Sequence, residues 1–281
     1  EKGMPRAMTG ENDCGDLSEL HGGALHDLTG KHCVVTGGGS GIGAMIAAGF
    51  VANGASVYVV SRKDTSPYCD ALTLAGPGRA QSVRCDLAVE QEVVRLAAEL
   101  HILTGGRLDV LVNNSGTNWA QPIEEYSLTG WDKVMDLNVR SVFHVTQQCL
   151  PLLDAASSDE CPARVINIGS INGIGITSLD TYAYSASKAA VAHLTRVMGG
   201  KLGERRITVN AIMPGAFQSR MMRATLESFG DVIAKGVPLG RIGRAKDMVA
   251  LSLLMAGPGG AWMTGSCVVL DGGAVVKPAS L

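Results

Sequence analysis

The chain has 281 residues, 46% of them apolar and only 18% charged, with a formal net charge of −2. So apolar a composition can offset the entropy of ordering, which excludes disorder over most of the length. The small charge gives no bulk attraction to nucleic acid or anionic lipid, and no apolar run approaches the roughly 18–20 residues of a membrane span.

Residues 1–26 are polar, lack the apolar stretch of a secretory signal, and read as a flexible extension of a cytoplasmic protein. One domain is expected over 27–281. The runs 31–37 (KHCVVTG), 55–61 (ASVYVVS), 79–85 (RAQSVRC), 108–114 (LDVLVNN), 163–170 (ARVINIGS), 206–213 (RITVNAIM) and 265–272 (GSCVVLDG) read as short buried strands. Helical patterns lie between them at 41–53, before 79, and at 91–103, 129–150, 182–203 and 245–256, the first closed by Gly54. Strands alternating with helices predict an α/β fold: a doubly wound Rossmann domain whose parallel seven-stranded sheet is covered on both faces. Seven cysteines without a C-x-x-C pair, and six histidines without ligand spacing, point to a reducing compartment and to no metal site.

Ligands of such sheets sit beyond the carboxyl ends of the strands. After the first strand comes TGGGSGIG. Gly37 suits a tight turn, Gly41 a close approach to pyrophosphate, and Gly43 close helix packing, with Gly39, Ser40 and Ile42 completing a cradle at a helix N-terminus. The second strand ends in Ser61-Arg62-Lys63, where an NAD binder normally carries an acid; the arginine suits the 2′-phosphate of NADP, and the alternative is a solvated basic turn. Asp86, within Cys85-Asp86-Leu87, can accept from the adenine amino group or cap the next helix. Asn114-Ser115-Gly116 offers small residues for close backbone approach.

Tyr184 and Lys188 stand four residues apart on a predicted helix and so share a face. An adjacent ammonium favours the phenolate, which predicts a lowered Tyr184 pKa and a group able to exchange a proton with a carbonyl or alcohol oxygen. Ser170, at the end of the fifth strand, adds a hydroxyl to polarise the same oxygen.

TGGGSGIG, NNSG, the serine after NIG, YSASK and Pro214-Gly215 occur in the order of the short-chain dehydrogenase/reductase family, which the chain resembles over about residues 27–275. Within it, the rhamnolipid-type 3-oxoacyl reductases and their fungal relatives look most similar. The resemblance implies a catalytic set of Ser170, Tyr184 and Lys188, with Asn138 holding a water that links Lys188 to solvent. It also implies that Lys188 grips the nicotinamide ribose, that Pro214, Gly215 and Ser219 contact the nicotinamide end, and that the protein is a homotetramer or homodimer. The interval from Ser170 to Tyr184 is one residue longer than usual for the family, and Gly173 and Gly175 are where it should bulge. Ser40 also stands where many NADP users carry arginine.

The expected activity is NADP(H)-dependent, reversible reduction of a small-molecule ketone. The alternatives are an NAD-dependent alcohol dehydrogenase, an idle dinucleotide-binding scaffold, and a dehydrating or epimerising relative. Residues 217–230 fall where the family places a lid. Met221, Met222, Leu226 and Phe229, with Trp119, Ile174 and Ile176, would form an apolar wall for a bulky ketone, and Arg220 and Arg223 could meet an anionic group.

Overall fold

In the computed structural model, which describes residues 16–219 and 222–277, seven runs form strands. They are β1 (His32–Thr36), β2 (Ser56–Ser61), β3 (Arg79–Arg84), β4 (Val110–Asn113), β5 (Ala163–Ile168), β6 (Ile207–Pro214) and β7 (Cys267–Leu270). All pair in parallel in the order β3-β2-β1-β4-β5-β6-β7. The chain moves outward from β1 to β3 and then returns to the other side of β1, so the order reverses between β1 and β4. That reversal opens a crevice at the carboxyl edge.

The helices are α1 (Leu17–Leu20), α2 (Gly22–Leu25), α3 (Gly41–Ala52), α4 (Ser66–Ala75), α5 (Glu90–Thr104), α6 (Leu128–Met135), α7 (Ser141–Ala156), α8 (Tyr182–Leu202), α9 (Arg223–Gly236) and α10 (Ala245–Ala256). Strand residues alternate between two apolar layers. Val35, Val59, Val112, Ile166 and Ile212 pack with Ile46, Phe50 and Met248 of α3 and α10 on one face. Val34, Val60, Leu111, Val165 and Val209 meet Leu96, Leu100, Val145 and Leu153 of α5 and α7 on the other. Burial on both faces explains why the strands read as continuous apolar runs. Among the described residues no helix is long and apolar enough to cross a membrane.

Within the second layer runs a polar row. The Asn113 amide donates to Asn167 Oδ1 (2.9 Å) and Thr146 Oγ1 (3.1 Å), and the Asn167 amide donates to Thr195 Oγ1 (2.9 Å). Both asparagines are fully buried, so a slip of register would strand their amides without partners. The row therefore holds β4, β5, α7 and α8 in one alignment at the crevice.

Three segments differ from expectation. The helix expected over 129–150 is interrupted: Asp136–Arg140 forms a π turn between α6 and α7, with the Ser141 N–H bonded to the Asp136 carbonyl. The expected lid contains α9. In the extension, residues 17–25 form α1 and α2, and the Gly257 α-carbon lies so close beneath the Leu25 carbonyl that a Cβ there would sit 2.6 Å from it. Residues 1–15 of that extension, with Cys14, lie outside the described residues.

Candidate active site

The glycine turn is shaped by what no side chain could occupy. Gly37 (φ +64°) and Gly41 (φ +55°) take left-handed backbone, which favours glycine. A Cβ on Gly37 would lie 2.9 Å from Asn114 Nδ2, and one on Gly43 would strike the same amide and the Gly37 carbonyl. Gly39 presses equally hard on the Thr65 methyl. Behind the turn, Asn114 Nδ2 donates to the Thr36 carbonyl (2.8 Å), and Thr36 Oγ1 accepts from the Asn114 and Ser115 N–H groups (2.9 and 3.0 Å). Asn114 and Ser115 thus brace the cradle from the β4 side.

Ser40 is the N-cap of α3, yet its side chain makes no capping hydrogen bond. The first-turn N–H groups and the positive end of the helix dipole are left for an anion. A glycine cradle closed to any Cβ, opening onto an uncapped helix, fits the pyrophosphate of a dinucleotide.

At the adenosine corner, Arg62 is exposed and its guanidinium lies 3.9 Å from Asp86 Oδ2. The Lys63 N–H bonds Ser61 Oγ (3.2 Å). Asp86 Oδ1 accepts from the Ala88 N–H (3.1 Å) while its other oxygen faces Arg62, and Asp86 does not cap the next helix: the N-cap of α5 is Val89, which has no side-chain cap. Cys85 and Leu87 are buried, and the Cys85 thiol donates to the Glu92 carbonyl (3.5 Å).

The candidate catalytic side chains lie beyond the end of β5 and in the first turns of α8. Ser170 is buried and Oγ accepts from the Asn172 N–H (3.2 Å). Lys188 is buried; its ammonium donates to the Ile168 carbonyl (2.8 Å) and stands 5.6 Å from the centre of the Tyr184 ring. Burial pulls the Lys188 pKa down to about 8. The Tyr184 phenol moves the other way: its surroundings desolvate it and raise its pKa above 10.0, and the Ser170 hydroxyl pulls it back only in part. The lowering expected from sequence is therefore corrected here. The lysine is turned onto a backbone carbonyl, and desolvation outweighs its field.

Asn138 sits in the π turn. Its amide nitrogen donates to the Thr117 carbonyl (3.0 Å) and Ser187 Oγ (3.0 Å), and Oδ1 accepts from the Thr117 N–H (2.8 Å). A Cβ on Gly116 would lie 3.3 Å from that Oδ1 and 3.8 Å from Lys188 Nζ, so Gly116, Asn138 and Lys188 meet at one point. Ser219 Oγ accepts from the Met222 N–H (3.2 Å), and the Gly215 N–H is bonded to the Leu270 carbonyl (3.0 Å).

Of the expected apolar wall, Trp119 is half-buried: the indole N–H bonds Gln121 Oε1 (3.0 Å), and the ring lies against Gly130 of α6. Ile174, Ile176 and Phe229 are exposed. Arg220 and Met221 lie outside the described residues, as do the side chains of Arg223 and Leu226. Gly173 meets the α8 backbone, where a Cβ would lie 2.6 Å from the Lys188 carbonyl carbon.

A family model described as short chain dehydrogenase matches residues 31–228. The chain belongs to the short-chain dehydrogenase/reductase family. It is 45% identical over 248 residues to the rhamnolipids biosynthesis 3-oxoacyl-[acyl-carrier-protein] reductase of Pseudomonas aeruginosa, covering 88% of this chain and 96% of that protein. A fungal relative, the hydroxynaphthalene reductase-like protein Arp2 of Metarhizium robertsii, is 32% identical over 265 residues (88% and 96% covered). Among solved structures, the Pseudomonas aeruginosa RhlG/NADP active-site complex superimposes with a TM-score of 0.85 at 43% identity, covering 89% of this chain and 98% of that one. The resemblance read from TGGGSGIG, NNSG and YSASK is borne out at the level of family and of both kinds of relative.

The buried row Asn113–Asn167–Thr195 escaped the reading of the sequence. Its one visible signal was an asparagine inside an otherwise apolar strand, twice over.

Proposed function

We propose that this chain is an NADP(H)-dependent reductase that converts a ketone into a secondary alcohol, reversibly, with Tyr184 as the proton donor. What carries the reading is the convergence of Ser170, Tyr184 and Lys188 beside the crevice that holds the glycine cradle. NADPH, when bound, supplies a hydride to the carbonyl carbon. The residues that would hold it are the turn from Gly37 to Gly43, the Ser61-Arg62-Lys63 corner, Asp86 and Leu87, Asn114 to Gly116, and Pro214, Gly215 and Ser219.

Tyr184 Oη gives its proton to the carbonyl oxygen while Ser170 Oγ donates to the same oxygen, offsetting the charge that develops there. Lys188, protonated below pH about 8, steadies the phenolate left on Tyr184. Asn138 keeps Lys188 aimed by clamping Thr117 to Ser187. The substrate class is an apolar or bulky ketone, supported by relatives named for 3-oxoacyl and hydroxynaphthalene reduction and by the exposed apolar side chains of Ile174 and Phe229. A homotetramer or homodimer in the cytoplasm suits the same reading; fully exposed Trp262 beside β7 supports assembly, and sedimentation velocity tests it.

Tyr184→Phe should bind NADPH as the unaltered protein does and lose ~10³-fold or more in ketone reduction, followed by loss of NADPH absorbance. Retained turnover in that variant would overturn the assignment.

A further inference from the structure

We propose that Arg84, at the end of β3, is the second cation of the 2′-phosphate site and sets the preference for NADPH over NADH. The inference rests on the NADPH reading above and concerns how this chain achieves it. A 2′-phosphate carries close to two negative charges, and the glycine turn offers no side-chain cation because Ser40 is neutral. Arg62 is drawn towards Asp86, on the adenine side, and is shared with that carboxylate.

The sheet brings another guanidinium to the same place. Register pairs Ser61 with Arg84, so the two α-carbons lie about 4.8 Å apart with side chains on one face. That face also carries Ser82, whose Oγ accepts the Thr65 N–H (3.1 Å) and lies 2.8 Å from Thr65 Oγ1. Thr65 is the residue that Gly39 of the cradle touches. Gly39, Thr65 and Ser82 thus form a continuous line from the phosphate cradle to β3. Arg84 is the next residue along the same row, towards the carboxyl edge where the nucleotide lies.

Its orientation is set as well. Arg84 Nε donates to the Arg62 carbonyl (3.2 Å), which ties the guanidinium to the turn that begins at Ser61. Among the described residues its two terminal nitrogens make no hydrogen bond. The carboxylate beside it, Asp64, is engaged by the Ser66 N–H and Oγ (2.9 and 2.7 Å) at the start of α4. A planar fork with one edge pinned and the other free suits bidentate capture of a phosphate.

The test is isothermal titration with 2′,5′-ADP and with 5′-AMP, which differ by the 2′-phosphate and involve no turnover. Arg84→Gln should weaken 2′,5′-ADP ~10-fold or more, leave 5′-AMP within about twofold, and leave the melting temperature unchanged. Arg84→Lys, which keeps the charge but loses the fork, should fall between. The assignment is overturned if Arg84→Gln leaves 2′,5′-ADP within twofold of the unaltered protein. It is equally overturned if both nucleotides weaken alike, since Arg84 would then act by shaping the Arg62 turn. Should the unaltered protein bind 2′,5′-ADP no better than 5′-AMP, the NADPH reading itself fails and takes this inference with it.

Discussion

The two ends of the crevice are built on opposite principles. At the reacting end, Lys188 and Asn138 are buried, and each is held by neighbours: Lys188 by the Ile168 carbonyl, Asn138 by Thr117 and Ser187. At the adenosine end, Arg62, Lys63 and Arg84 are exposed, and the Arg62–Asp86 pair stretches to 3.9 Å. Fixed dipoles in a dry site act strongly on a developing charge, whereas exposed charges are screened and contribute little each. The reacting end should therefore govern rate, and the adenosine end should govern only which nucleotide binds.

The sharpest way to break this contrast is Lys188→Met. Turnover should fall ~10³-fold, while the apoprotein should melt several degrees higher, because a buried ammonium with one hydrogen bond is replaced by an apolar chain. The sign follows from protons. Burial lowers the folded pKa from 10.5 to about 8, so between those values the unfolded chain binds more protons and stability rises with pH. Calorimetry of the apoprotein from pH 7 to 10 should show that rise, and Lys188→Met should abolish it.

Ser170→Ala should lower kcat by ~10²-fold with NADPH affinity unchanged, the size of loss that follows removal of one fixed donor at a developing oxyanion. A pH profile probes the same end. kcat/KM for reduction should fall above pH about 8 as Lys188 loses its proton, whereas Tyr184, held above 10.0, stays protonated there. A first break near pH 10 would instead assign the limb to the phenol.

Asn138→Ala removes three hydrogen bonds around Thr117 and Ser187. It should cost about 2–3 kcal/mol of stability in denaturant titrations and a smaller share of kcat than Ser170→Ala. The smallest effect is expected at the other end. Arg62→Gln should raise the NADPH Kd only ~3- to 10-fold, and less at high salt, with kcat untouched. A fall in kcat in that variant would dissolve the contrast.

How much of this was legible in the sequence follows the same division. Strand and helix alternation is written in local apolar runs, and the glycine turn, Ser170 and the Tyr184–Lys188 interval are local motifs, so they could be placed without coordinates. The π turn could not, because 129–150 keeps an unbroken helical pattern and the extra residue in the turn is set by Asn138 reaching Thr117 and Ser187, which are distant in sequence. The Tyr184 pKa was misjudged for a related reason. Spacing places the ammonium on the right face but says nothing of the Ile168 carbonyl that turns it aside. The contacts that hold the Trp119 ring, from Gln121 and from Gly130 of α6, likewise carry no signal in the sequence.

Gly173, wedged against the backbone of α8, separates two jobs that share one loop. Upstream, only Ile171 and Asn172 stand between it and Ser170, so the position of the Ser170 hydroxyl is anchored on a short leash. Downstream, Gly175 is still tied to the Ile171 carbonyl and Asp180 to the Gln121 N–H, but residues 176–179 bond only to near neighbours in the chain, so that short stretch is the part freest to vary. A designer could transplant that stretch from another enzyme of this kind to change what is reduced, and expect the proton-handling machinery to survive the exchange.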